Sequence, residues 1–273
     1  MTRDDIVNNI YKNVRTDTYR LKNVKITEDI KKFGFDDDGY ISFDIINLSS
    51  DAIIKKIANS KSPFESKMIE IYNKAYENVV SKKFAKDIVL FKNYHICPYC
   101  KVNYIKMQDG IARPDLDHFY PKRKFFYLAI TFDNLVPSCT LCNQRLKRDK
   151  DPVINFYKTQ NIFKKIQFEC DIINKYIYIS NIDDFDCSEK EWIRDMKTQE
   201  IYSMHTEIFD NIYEKYEKYR KSNIKDMAAC LNLDEKYIKD IVFAEYKIMK
   251  ERNEPLYKLK QDLFKQISTQ FQQ

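Results

Sequence analysis

Four of the chain's seven cysteines stand in two Cys-x-x-Cys pairs, Cys97–Cys100 and Cys139–Cys142, with 38 residues between the pairs. Two such knuckles supply four thiolates, the ligand set of a closed tetrahedral Zn²⁺ site. A thioredoxin-type site needs only one pair, set after a strand. A disulfide framework belongs to small secreted domains that lack a core, and 273 residues can build one. The remaining alternative is four buried free thiols. A shared zinc means that the 38 residues fold as a clamped segment. Cys170, Cys187 and Cys230 stand alone, and each reads as a small buried hydrophobe.

Composition narrows the rest of the architecture. Only three glycines occur, Gly34, Gly39 and Gly110. Rossmann folds, P-loop NTPases and turn-rich barrels need more, and neither phosphate-loop motif is present. No apolar run approaches the ~18 residues of a membrane span. The first fifteen residues contain no apolar signal core, so the expected location is the cytoplasm. Aromatic residues make 14% of the chain, which excludes a disordered tail.

The net charge of +6 is not spread evenly. Residues 91–160 hold 12 Lys and Arg against 6 Asp and no Glu, so the whole excess lies there. A localised excess is the footprint of a polyanion-binding surface, although a solvated lysine-rich face has the same composition.

That basic stretch coincides with the clamped segment, which contains Asp117-His118 with Pro121 close behind. Asn134-Leu135 follows, and Asn143 comes directly after Cys142. Residues 114–118 and 135–138 can be extended, whereas 140–148 can form a helix opening at the second knuckle. Strand, loop, strand and helix would gather Asp117, His118, Asn134 and Asn143.

These residues resemble the HNH endonucleases, the ββα-metal group, in the subset with a four-cysteine zinc site. The family pattern is Asp-His with a nearby proline, Asn-Leu, then CxxC followed by His or Asn and a lysine four residues on, here Lys147. DHFYPK, FDNLVPSC and CNQRLK also resemble the HNH subunit of Septu-type and retron-linked antiphage systems, which acts beside an ATPase. The resemblance implies a metal-dependent endonuclease cutting DNA. His118 would be the general base and Asn134 would fix the loop and the His118 ring. Asp117 and Asn143 would hold one divalent ion, Mg²⁺ or Mn²⁺. An amide oxygen at 143, where His is commoner, suits a hard cation. Arg145, Lys147 and Arg148 would contact phosphate on one side and Lys122, Arg123 and Lys124 on the other. The alternative is a non-catalytic zinc-stabilised module that binds nucleic acid or protein.

The expected fold is mostly α, with the small zinc-stapled ββα module between helical flanks: residues 1–90, 91–155 and 156–273. Ser62-Pro63 opens a helix through Lys83, with Phe64, Met68, Ile71, Ala75 and Val79 at 3–4 spacing. FDDDGYISF resembles a calcium loop, but its positions one and twelve would be Gly34 and Ile45, which excludes an EF-hand. Residues 175–180 read as a strand. Ser188 and Glu191 read as a capping box opening a helix over 188–221, with further helices over 223–231, 234–252 and 255–270. His205 is expected inside a helix, and Tyr213, Tyr216 and Tyr219 are expected to pack between helices.

Overall fold

The computed structural model describes residues 1–56, 65–105, 107, 114–248 and 254–271. The chain forms two compact units, Met1–Lys158 and Thr159–Gln273. It is mostly helical, with two small antiparallel sheets. No described helix is long and apolar enough to cross a membrane.

In the first unit, α1 (Arg3–Val14) starts at a capping box in which Thr2 and Asp5 satisfy each other's backbone N–H. Its buried stripe is Ile6, Val7, Ile10 and Val14, the helical period that places one face on a core. Three short helices follow, α2 (Glu28–Lys32), α3 (Phe43–Asn47) and α4 (Ser50–Lys56). Between α2 and α3 the rejected calcium loop is a tight hairpin. Asp36 Oδ1 accepts the backbone N–H groups of Asp38 and Tyr40, and Arg15 pairs with its other oxygen.

The long helical run consists of α5 (Glu65–Ala75), a π-helical stretch Tyr76–Phe84 and α6 (Ala85–Lys92). It stops at Asn93 in the left-handed conformation. Met68, Tyr72, Ala75, Val79 and Val80 form its buried face, while Ile71 is only half-buried. The expected start at Ser62-Pro63-Phe64 lies outside the described residues.

The clamped segment folds as strand, loop, strand and helical turn. Strand β1 (Asp115–His118) pairs antiparallel with β2 (Leu135–Ser138), setting Asp117 opposite Val136 and His118 opposite Leu135. The expected helix after the second knuckle is a π-helical turn, Leu141–Lys147.

The β1–β2 connection is buried among the preceding helices. Phe33 stacks on Phe126 at 5.4 Å and meets Tyr127 edge-on at 5.5 Å. The Thr131 hydroxyl donates to Ile45 O at 2.7 Å, and the Tyr72 hydroxyl to Phe33 O at 2.6 Å. The helices of residues 1–90 and the zinc-module segment therefore share one core. Residue 34 must be glycine there: φ is +82°, and a Cβ would come within 2.7 Å of the Ile45 Cβ.

The second unit contains the hairpin β3 (Phe168–Asp171) and β4 (Tyr176–Ile179), the latter as expected over 175–180. Its edges are closed by side chains. Asp262 and Gln266 accept from the Phe168 and Cys170 N–H groups, while Gln199 bonds both Ile179 N and Ile177 O. The capping box lies two residues earlier than expected, at Asp186 and Glu189. The expected 188–221 helix is three helices, Cys187–Asp195, Thr198–Ser203 and Thr206–Lys218. The first break is at Lys197, which takes a left-handed conformation (φ 52°), and the second is around His205, which precedes the third helix. The helix expected over 223–231 spans Lys221–Leu231, and the final one spans Tyr257–Gln270. Of the three tyrosines expected between helices, Tyr216 packs against Phe243, Phe264 and Phe271, whereas Tyr213 is exposed. Of the solitary cysteines only Cys170 is buried; Cys187 and Cys230 are exposed.

Candidate functional site

The two knuckles meet. The Sγ atoms of Cys97, Cys100, Cys139 and Cys142 all lie within 4.8 Å of one another, and all four residues are buried. The first knuckle is a tight loop held by Cys97 N to Asn103 O and Ile105 N to His95 O, with Lys101 left-handed (φ 56°) directly after Cys100. N–H groups point at the sulfurs: Cys139 N to Cys97 Sγ at 3.4 Å, Cys142 N to Cys139 Sγ at 3.5 Å, and Asn103 Nδ2 to Cys139 Sγ at 3.4 Å. Such donors favour thiolates, whereas burial pushes the Cys97 thiol up. Four converging sulfurs in an apolar shell fit a soft divalent cation such as Zn²⁺ and no magnesium-like ion. His95 is exposed and outside this cluster.

Beside the knuckles the strand alternation separates Asp117 from His118. His118 is 9% exposed, and its Nε2 lies 2.9 Å from Ala129 O. That contact requires Nε2 to carry the proton, which leaves Nδ1 as the lone-pair nitrogen. Burial, reinforced by the Lys122 and Lys147 charges, pushes the imidazole pKa down to about 3. His118 is therefore neutral at physiological pH.

Asn134 is fully buried and fixes the loop that carries Ala129. Its Oδ1 accepts from Tyr120 N at 2.8 Å, and its Nδ2 donates to Tyr120 O at 3.1 Å and Leu128 O at 3.0 Å. It acts on the loop, and the loop's Ala129 carbonyl in turn holds the His118 ring.

Asp117 is buried and faces the knuckles. The Tyr99 hydroxyl, inside the first CxxC, donates to Asp117 Oδ2 at 2.6 Å, and the Lys147 ammonium lies 3.1 Å from the same oxygen. Lys147 Nζ also donates to His118 O at 2.7 Å. Burial raises the Asp117 carboxyl, opposed by Lys147 and Tyr99. Lys147 is 1% exposed, so the expectation of a phosphate-contacting lysine is corrected: its ammonium is the internal counter-ion of Asp117. The carboxylate that touches Asn143 is that of Asp115, which accepts from Asn143 Nδ2 at 3.2 Å and Gln144 Nε2 at 3.0 Å. Asp115 was not singled out by the sequence reading. The signal that could have found it was its place two residues before Asp117, on the same strand face.

An open cleft of about 430 Å³ is lined by Tyr76, Leu116, Asp117, His118, Lys122, Asn143 and Arg148, among others. Thus His118, Asn143 and part of Asp117 border one space, together with the cations of Lys122 and Arg148 and the carboxylate of Asp149. Arg145 is exposed. Arg123 and Lys124 are exposed and paired with Asp149 and Asp151. Tyr76 was missed, because in sequence it is one more aromatic residue on an amphipathic helix.

Over 94 residues the chain is 27% identical to the Septu protein PtuB of Bacillus thuringiensis. The match covers 33% of this chain and 35% of that protein, about a third of the relative's length. No family model and no solved structure matches the chain.

Proposed function

We propose that the chain is a metal-dependent endonuclease of the HNH type that hydrolyses phosphodiester bonds of DNA and serves in antiphage defence, beside an ATPase partner. The observation that carries the chemistry is the placement of His118: its Nε2 lies 2.9 Å from Ala129 O, and the residue borders a cleft that Lys122 and Arg148 also line. A phosphodiester resists hydroxide because it is already an anion, so hydrolysis needs a base to make the nucleophile and a cation to absorb growing charge. Nδ1 of His118 takes the proton from water. Lys122 and Arg148 hold the phosphate, and Asn134 keeps the loop and thereby the base in place. The defence context comes from the similarity to the Septu protein.

Mg²⁺ or Mn²⁺ would supply charge neutralisation at the leaving 3′ oxygen. Magnesium is commonly held by one or two carboxylates plus phosphate oxygens. Asn143 with Asp117, or with the nearer Asp115, offers donors of that kind.

A second reading has its own support. Asp117 is already satisfied by Tyr99 and Lys147, and Asn143 by Asp115, an arrangement that a zinc-stabilised binding module also needs. Plasmid nicking separates the two. Under the nuclease reading, purified protein nicks DNA with Mg²⁺ or Mn²⁺, and His118→Ala abolishes cleavage while zinc content and DNA binding persist. Cleavage by His118→Ala at the wild-type rate refutes the assignment, and DNA binding without metal-dependent cleavage supports the binding module.

A further inference from the structure

We infer that Tyr76, contributed by the N-terminal helical run, is a positioning residue that orients His118 and Lys122 for the cleavage proposed above; the inference rests on that reading. The Tyr76 ring lies against the His118 imidazole, with centroids 4.5 Å apart and planes at 62°, an edge-to-face contact. The Lys122 ammonium sits over the same ring, 4.9 Å from its centroid. Tyr76 also lines two clefts that border Asn143, one of them beside Asp115.

An imidazole held only through Nε2 can rock about that one hydrogen bond. A second contact on the ring removes this freedom and aims Nδ1 at one point in the cleft. The same aromatic face attracts the Lys122 cation and keeps it next to the base, where a phosphate held by Lys122 would be within reach of the activated water. One side chain thus sets the separation between base and anion holder. A misplacement of ~1 Å in such a pair can cost ~10²-fold in rate.

The backbone supports this role. Tyr76 is the first residue of the π-helical stretch Tyr76–Phe84, and π-helical insertions frequently mark functional sites because they redirect side chains from the regular helical face. One turn earlier, Tyr72 is fully buried and bonded to Phe33 O, so the helix that presents Tyr76 is anchored in the core. Tyr76 itself is only half-buried, on the cleft side.

The test uses the full chain, with Tyr76→Leu, which keeps apolar volume without a ring, and Tyr76→Phe, which keeps the ring. Single-turnover cleavage should fall ~10–100-fold in Tyr76→Leu and stay within ~3-fold of wild type in Tyr76→Phe. Zinc content and melting temperature report the fold, and His118→Ala is run in parallel. A second readout is independent of activity. The chain has three histidines, so the His118 ring C–H resonances can be assigned by comparison with His118→Ala. They should carry a ring-current shift that Tyr76→Leu abolishes and Tyr76→Phe preserves. If His118→Ala is inactive while Tyr76→Leu cuts at the wild-type rate, this inference fails and the nuclease reading stands. If wild type does not cut, or His118→Ala cuts normally, the nuclease reading fails and takes this role with it. Unshifted His118 resonances in wild type overturn the contact itself, even if Tyr76→Leu folds poorly.

Discussion

Replacing Lys147 by Met removes an ammonium that is 1% exposed while keeping most of its volume. The pair with Asp117 at 3.1 Å and the bond to His118 O at 2.7 Å are lost, along with the weaker contact over the Phe119 ring at 5.9 Å. Asp117 then keeps only the Tyr99 hydroxyl. A buried carboxylate without its counter-ion takes up a proton rather than stay charged, and that limits the damage. From its ordinary value of 3.8, protonating the carboxyl costs at most about 4 kcal/mol at pH 7 and about 1.6 kcal/mol at pH 5. The orphaned His118 carbonyl adds about 1 kcal/mol at either pH. The variant should therefore lose about 3–5 kcal/mol at pH 7, as broken buried pairs generally do, and distinctly less at pH 5. The sign follows from linkage: in the variant the folded Asp117 binds its proton more tightly than the unfolded chain, so stability falls as pH rises. Urea unfolding followed by circular dichroism and zinc release, without Mg²⁺, measures both values. Lys147→Met/Asp117→Asn should recover more than half of the loss, because neither partner is then left charged. A loss under about 0.5 kcal/mol at pH 7, or an equal loss at both pH values, would refute the buried-pair account.

Purified protein should carry one zinc per chain, and Cys→Ser at position 97, 100, 139 or 142 should lower the melting temperature and release the metal; a folded zinc-free preparation would contradict this. Because burial holds the His118 pKa near 3, the cleavage rate should show no titration limb around pH 6.5. A bound divalent cation would push the pKa lower still, so a limb at that pH would show His118 to be solvated. The same depressed value makes the folded state lose up to about 1.4 kcal/mol per unit as pH falls from 6.5 toward 3, since the unfolded chain takes the proton first. His118→Phe should accordingly move acid denaturation to lower pH. Charge reversal at Lys122 and Arg148 should flatten the salt dependence of DNA binding by about 0.9 per lost phosphate contact, and more than reversal at Arg123 and Lys124, which are already paired with acids. An unchanged slope for Lys122 and Arg148 would place the anion surface elsewhere.

Local chemistry was legible from the sequence wherever spacing alone decides it. The four-cysteine cluster follows from two knuckles, because each CxxC already sets two sulfurs within reach of one ion. Once residues 114–118 are extended, strand alternation alone sets Asp117 and His118 on opposite faces. The stripe of Met68, Ala75 and Val79 could be read because period 3.6 survives in the order of residues, although Ile71 on the same spacing is only half-buried. The helix over 188–221 could not be divided by that rule. Its breaks at Lys197 and around His205 involve neither glycine nor proline, so tertiary packing and not composition must impose them.

Partners far apart in the chain were decided only by the tertiary structure. Lys147 and Lys122 are both lysines in one basic stretch, yet one is the buried counter-ion of Asp117 and the other lines the open cleft. Nothing local separates them, because the desolvation that forces Lys147 to pair exists only once the module has closed. Asn143 was picked out by its place behind Cys142, but its contact with Asp115 depends on how the π-helical turn lies across β1. Tyr76, about forty residues before His118, reaches the imidazole only because the N-terminal helices and the zinc module share one core. The sequence by itself determined which chemical groups are available and which strand face each occupies. The tertiary structure decided which of them lose their water, and therefore which must pair and which remain to meet a substrate.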